Sequence, residues 1–107
     1  MMIKNLNAEQ FQQLLSSGEA MLVDFWAPWC GYCRRLNPVY DKIAQQYGDR
    51  VVIAKINIDE EPQLADREQI ELIPTLVLYR NGQALGSLVA PQSKTLIDGL
   101  LRENLGM

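Results

Sequence analysis

Cys30 and Cys33 are the only cysteines of the chain, with Gly31 and Tyr32 between them. Two thiols at this spacing, opening a helix after a buried strand, can close a local disulfide. A helix N-terminus offers unpaired N–H groups and a partial positive charge, and both favour a thiolate over a thiol. Cys30, at the helix start, is expected to be exposed, to ionise readily and to attack a substrate disulfide. Cys33, one turn further in, is expected to be more buried and to resolve the mixed disulfide. A structural zinc site needs four ligands, and the chain has no histidine and no further cysteine. Two chains sharing a metal or an iron–sulfur cluster, or a pair of inert core cysteines, remain alternatives; two cysteines at this spacing in a βαβ setting argue against inert packing.

Asp24 stands six residues before Cys30 in an otherwise apolar run. A carboxylate buried there is costly unless it is paired or protonated. Burial would raise its pKa and suit it to accept the proton of the resolving thiol. The alternative is a strand-end aspartate that reaches solvent. Lys55 is the charge in the next apolar run. It either sits near Asp24 and tunes it or extends to solvent from the sheet edge. Pro74 follows Ile73 directly before a strand-like segment. Proline belongs at a strand start because it cannot donate to a ladder, and X–Pro bonds are where cis peptides occur. A cis Pro74 beside the cysteines would leave backbone groups of Ile73 free for an extended peptide; an ordinary trans loop proline is the other reading. Trp26 is expected in the core. Trp29, beside Cys30, is either an exposed apolar rim or plain packing.

These residues need elements to hold them. Asn7 with Gln10 fits a capping box, and Leu6 with Phe11 fits a hydrophobic staple, so a first helix starts at Asn7 and ends near Gly18. Met21–Trp26 and Val51–Ile56 read as strands buried on both faces. Between them Leu36, Val39, Tyr40, Ile43, Ala44 and Tyr47 mark a helix, which Pro38 should kink and Gly48 should end. A short helix is expected from Glu60 to about Gln69, with Pro62 in its first turn. Thr75–Tyr79 and Ala84–Leu88 flank Asn81-Gly82, a strong hairpin signal. A last helix runs from about Ser93 to Asn104. Strands separated by helices imply right-handed parallel crossovers, and the hairpin adds an antiparallel edge. The expected architecture is α/β, a mixed central sheet with helices on both faces, in a single domain over residues 1–107.

Composition narrows the function. At 107 residues and 48% hydrophobic, the chain can bury one core without staples. Its net charge of −3 argues against nucleic acid as a partner. No apolar run approaches the ~20 residues of a membrane helix, so no membrane partner is expected. The absence of histidine removes Cys-His activation and histidine-ligated metals. Met1–Leu6 lacks the apolar core of a secretory signal, which leads to a cytoplasmic expectation unless a signal has been removed.

The run Val23-Asp24-Phe25-Trp26-Ala27-Pro28-Trp29-Cys30-Gly31-Tyr32-Cys33-Arg34 resembles the strand-to-active-site stretch of the thioredoxin family. Pro38, Lys55-Ile56-Asn57-Ile58-Asp59, Ile73-Pro74-Thr75 and Asn81-Gly82 extend the resemblance, in order, over essentially the whole chain. It implies the thioredoxin fold and dithiol–disulfide exchange with proteins that carry disulfides. It carries over Cys30 as nucleophile, Cys33 as resolving thiol, Asp24 as the buried acid, Lys55 as its partner and Pro74 as a cis-proline. The substrate surface it implies is Trp29, Gly31, Tyr32, Ile73, Pro74, Val89 and Ala90. It implies no cofactor and no metal, a monomer, and a thioredoxin-reductase-like electron donor in cell redox homeostasis.

Two departures bear on function. Gly31-Tyr32 stands where thioredoxins usually carry Gly-Pro, which predicts a less reducing couple. Val89-Ala90-Pro91 stands where Val-Gly is usual, which alters the docking loop. Glu68 and Glu71 also make the loop before Ile73 acidic. A reductase and electron carrier is the leading expectation. A disulfide isomerase or oxidase of an oxidising compartment, and a non-catalytic binding module on the same fold, are the alternatives.

Overall fold

The computed structural model describes residues 3–107; Met1 and Met2, the start of the stretch read for a signal, lie outside the described residues. In chain order the elements are β1 (Lys4–Asn5), α1 (Ala8–Ser17), β2 (Met21–Trp26), α2 (Gly31–Tyr47), β3 (Val52–Asn57), α3 (Pro62–Arg67), β4 (Thr75–Arg80), β5 (Gln83–Val89) and α4 (Lys94–Leu105). The strands form one sheet in the order β1-β3-β2-β4-β5. β1, β3 and β2 are parallel, whereas β4 runs antiparallel to β2 and β5 antiparallel to β4. The mixed sheet with helices on both faces is the expected α/β architecture. β1 was not expected: its two exposed residues are too few to show a period.

Strand alternation divides each apolar run between two cores. Leu22 of β2, Ile53 of β3 and Leu76 and Leu78 of β4 pack with Leu36, Tyr40, Ile43 and Tyr47 of α2 and Ile97 and Leu101 of α4. Val23, Phe25, Ala54, Ile56, Val77 and Tyr79 pack on the opposite side, with Phe11 of α1 and Leu64 of α3. There the Phe11 and Tyr79 rings meet edge to face, 5.3 Å apart. Burying a side chain of this size contributes about 1.5–3 kcal/mol. The alternation sends Asp24 and Lys55 to the α2 side, and the register pairs them across β2 and β3.

Local signals set the boundaries. The Asn7 side chain accepts from the Gln10 backbone N–H, and the Gln10 side chain accepts from Asn7 N–H, closing the expected box at α1. Gly18 ends α1 in the left-handed region, at φ 79°. Asn81 and Gly82 both have positive φ, as the two-residue hairpin turn requires. The β4–β5 register slips at Leu78/Tyr79, which leaves Leu85 as an extra residue. Gly48 ends α2, as expected, in the right-handed region at φ −63°. The chain continues there into a turn, with Val51 N–H still bonded to the Tyr47 carbonyl. α2 runs through Pro38 as one helix of 17 residues. Among the described residues no helix is long and apolar enough to cross a membrane.

Candidate active site

β2 leads through the buried Ala27 to the start of α2, and the two cysteines sit at that junction. Cys30 is the N-cap of α2, and its Sγ accepts the Cys33 backbone N–H at 3.1 Å. The two residues are disulfide-bonded, with Cα atoms 5.3 Å apart. A backbone N–H and the positive end of the helix dipole thus face the Cys30 sulfur, an arrangement that favours a thiolate over a thiol. Cys30 was expected to be exposed, but it is 8% accessible, against 2% for Cys33. The cysteines cluster with Ala27, and Trp26, Tyr32, Ile58 and Ile73 pack against that cluster. The expected order of accessibility is nevertheless present.

Asp24 is fully buried, and neither of its carboxylate oxygens has a hydrogen-bond partner. Burial, opposed by the charge of Lys55, pushes its pKa from 3.8 up to about 7. The Lys55 ammonium instead donates to Asn37 Oδ1 at 2.8 Å and lies 4.6 Å from the centroid of the Trp26 ring. Trp26 is half-buried rather than in the core, and its buried Nε1 has no acceptor. The Tyr40 hydroxyl lies 2.7 Å from the Ala54 carbonyl and 3.1 Å from the Leu22 carbonyl, tying α2 to β3 and β2. Burial first, and then the nearby Asp24 charge, hold Tyr40 well above the usual phenol range, so it stays neutral.

The rim is a mixture of open and braced groups. Trp29 is 67% exposed, and its Nε1–H donates to Asp59 Oδ1 at 3.2 Å, so the open indole is also oriented. The Ile73–Pro74 peptide is cis, with Ile73 half-buried and Pro74 buried. The Pro74 carbonyl accepts from Ala90 N–H at 2.8 Å, which joins the proline to the loop after β5. Ala90 holds φ 45°, a left-handed conformation that costs a non-glycine residue about 1 kcal/mol. Gly31 is exposed; Val89, expected in that loop, closes β5 and is exposed as well. Tyr32 was expected simply on the substrate surface. It is half-buried: its hydroxyl donates to the Pro91 carbonyl at 3.2 Å, and the Arg35 guanidinium lies 5.4 Å from its ring centroid.

Thus the fold brings Cys30, Cys33, Trp29, Tyr32 and Ile73 to one end of the sheet, with Asp24 and Lys55 beneath on the α2 side. Asn37 and the Tyr40 hydroxyl lie beside this group and were not expected there. Their spacing was the available signal, because Asn37 and Tyr40 fall four and seven residues after Cys33, on its face of α2.

A disulfide capping a helix, with a buried acid of raised pKa below and an open apolar rim above, defines a dithiol–disulfide redox protein. The thioredoxin family model matches residues 2–103. Thioredoxin 1 of Synechococcus elongatus is 46% identical over 94 residues, covering 88% of each chain. The thioredoxin of Alicyclobacillus acidocaldarius is 38% identical over 100 residues, covering 94% of this chain and 95% of its own. The crystal structure of Malassezia sympodialis thioredoxin (Mala s 13) superposes with a TM-score of 0.88 at 30% identity, over 96% of this chain and 90% of that one. The chain belongs to the thioredoxin family and is a thiol–disulfide oxidoreductase.

Proposed function

We propose that the protein works in the reducing direction, as an electron carrier that cleaves disulfides in other proteins. The observation that carries this is the unpartnered Asp24 carboxylate, fully buried on the α2 side with a pKa near 7. A reductase must deprotonate a buried resolving thiol, and an acid titrating near neutrality supplies the base for that step. Cys30 attacks as the thiolate. Its sulfur bonds to one substrate sulfur, the substrate disulfide breaks, and the other substrate sulfur leaves as a thiolate. Cys33 then gives its proton to Asp24 and attacks the Cys30 sulfur. The Cys30–Cys33 disulfide forms, and the second substrate sulfur leaves. The substrate gains two electrons and the protein dithiol loses two.

Trp29, Gly31, Tyr32, Ile73, Pro74, Val89 and Ala90 form the docking surface in this reading, and Lys55 tunes Asp24. A thioredoxin-reductase-like donor then returns two electrons to the disulfide. In this reading the protein acts as a cytoplasmic, single-domain monomer.

Tyr32 supports a second reading. It replaces the usual proline between the cysteines, and its hydroxyl and ring are engaged by Pro91 and Arg35. This favours a less reducing couple, as in isomerases. Equilibration of the pair in glutathione redox buffers separates the two. A potential near about −270 mV, the reference value of thioredoxin itself, supports the reductase. A value near about −180 mV or higher overturns it in favour of disulfide shuffling or donation.

A further inference from the structure

Lys55 and Asp24 are neighbours in register but do not touch. Parallel strands set two residues that point to the same side close enough for their charges to interact, so where the ammonium sits decides how strongly. The group that holds it is on α2. Asn37 is half-buried, and its side-chain oxygen accepts from Lys55 Nζ at 2.8 Å. The Trp26 ring lies against the same ammonium at 4.6 Å. Asn37 stands on a fixed base, because Tyr40, less than one turn further along, is anchored to the Leu22 and Ala54 carbonyls.

We infer that Asn37 is a positioning residue of the redox site: its side-chain oxygen holds the Lys55 ammonium over Trp26, at a distance from Asp24, and thereby sets the proton affinity of that acid. The inference rests on Asp24 serving Cys33. An ammonium in contact with Asp24 would make it an ordinary ionised carboxylate, useless as a proton acceptor that must cycle near neutrality. An ammonium lost to solvent would leave burial unopposed and keep the acid protonated. The tether selects the intermediate case.

Other charges near the pair set the direction of the effect. From α2, Tyr40 is neutral, and Cys33 is uncharged in the disulfide. Glu60 and Glu61 line the same open cleft as Trp26 and Lys55. Once released, Lys55 is drawn toward these carboxylates and away from Asp24.

The test is the Asp24 titration midpoint, read by carboxyl-carbon NMR on the oxidised full chain. It is measured for the native protein, Asn37→Ala, Lys55→Met and the double variant. Alanine is the best helix former, so Asn37→Ala keeps α2. The expected results are a midpoint raised by about half a pH unit or more in Asn37→Ala, raised in Lys55→Met, and not raised further in the double variant. An unchanged or lowered midpoint in Asn37→Ala overturns the inference. So does a shift that persists without Lys55, because Asn37 would then act through the fold. The pH profile of mixed-disulfide resolution is the second readout. It should move with the titration; a titration that shifts while the profile stays fixed contradicts the role of Asp24, and with it the use of Asn37 in the reaction.

Discussion

Two aspartate–lysine pairs in this molecule have opposite fates. On α4, Asp98 and Lys94 lie one turn apart and meet at 3.0 Å. The Tyr47 hydroxyl also donates to Asp98, at 2.7 Å. The Asp98 pKa is lowered: partial burial acts against this, but the hydrogen bonds from Tyr47 and Lys94 and the charges of Lys94 and Arg102 outweigh it. Asp24 has the same partner type beside it in register but accepts no hydrogen bond, and its pKa rises to about 7. The difference lies in contact and solvation, not in residue type. A satisfied pair near the surface stabilises the fold; an unsatisfied acid in the core costs stability and has a raised proton affinity.

The largest effect should come from Asp24→Asn. Wild-type Asp24 binds its proton more tightly folded than unfolded, so its contribution becomes unfavourable as pH rises from about 4 and levels off above about 7. Asp24→Asn should therefore gain stability by about 1.4 kcal/mol per pH unit across that window, reaching about 4 kcal/mol above pH 7. Urea unfolding at several pH values measures this, and a variant less stable than wild type at pH 8 would break the comparison. The same variant should slow mixed-disulfide resolution near neutral pH, because no base remains for Cys33.

A smaller change is expected from Asp98→Asn, with the opposite sign. The Asp98 pKa is lowered on folding, so its contribution is present above the ordinary carboxylate pKa and lost as pH falls through the folded value. Its removal should cost about 1 kcal/mol at pH 7 and almost nothing in strong acid, with redox activity unchanged. Equal effects of the two substitutions would erase the distinction drawn between the pairs.

Much of the site was legible because it is carried by local sequence. The disulfide of Cys30 and Cys33, the burial of Asp24 and the cis bond before Pro74 each follow from local signals: the cysteine spacing, the acid interrupting the Met21–Trp26 run and the proline before Thr75. Asn81-Gly82 was equally legible, since its two positive φ values follow from residue type. What was missed depends on contacts between elements. Asn37 looks like a solvated helix residue until Lys55 of β3 reaches it. Tyr40 reads as one more apolar position, and its hydroxyl matters only against the Leu22 and Ala54 carbonyls. Tyr32 was placed on the right surface, but the Pro91 carbonyl that engages it lies 59 positions away. Helix starts are usually open, which is why Cys30 is expected to be exposed; Ile58 and Ile73, from distant segments, pack against the cluster it belongs to.

Burial without a hydrogen-bond partner keeps Asp24 protonatable near neutral pH. The most direct measurement is the Asp24 carboxyl-carbon titration in the oxidised wild-type protein. A midpoint near 7 is expected. A midpoint near the ordinary 3.8 would contradict it, and would remove the base from the proposed reduction.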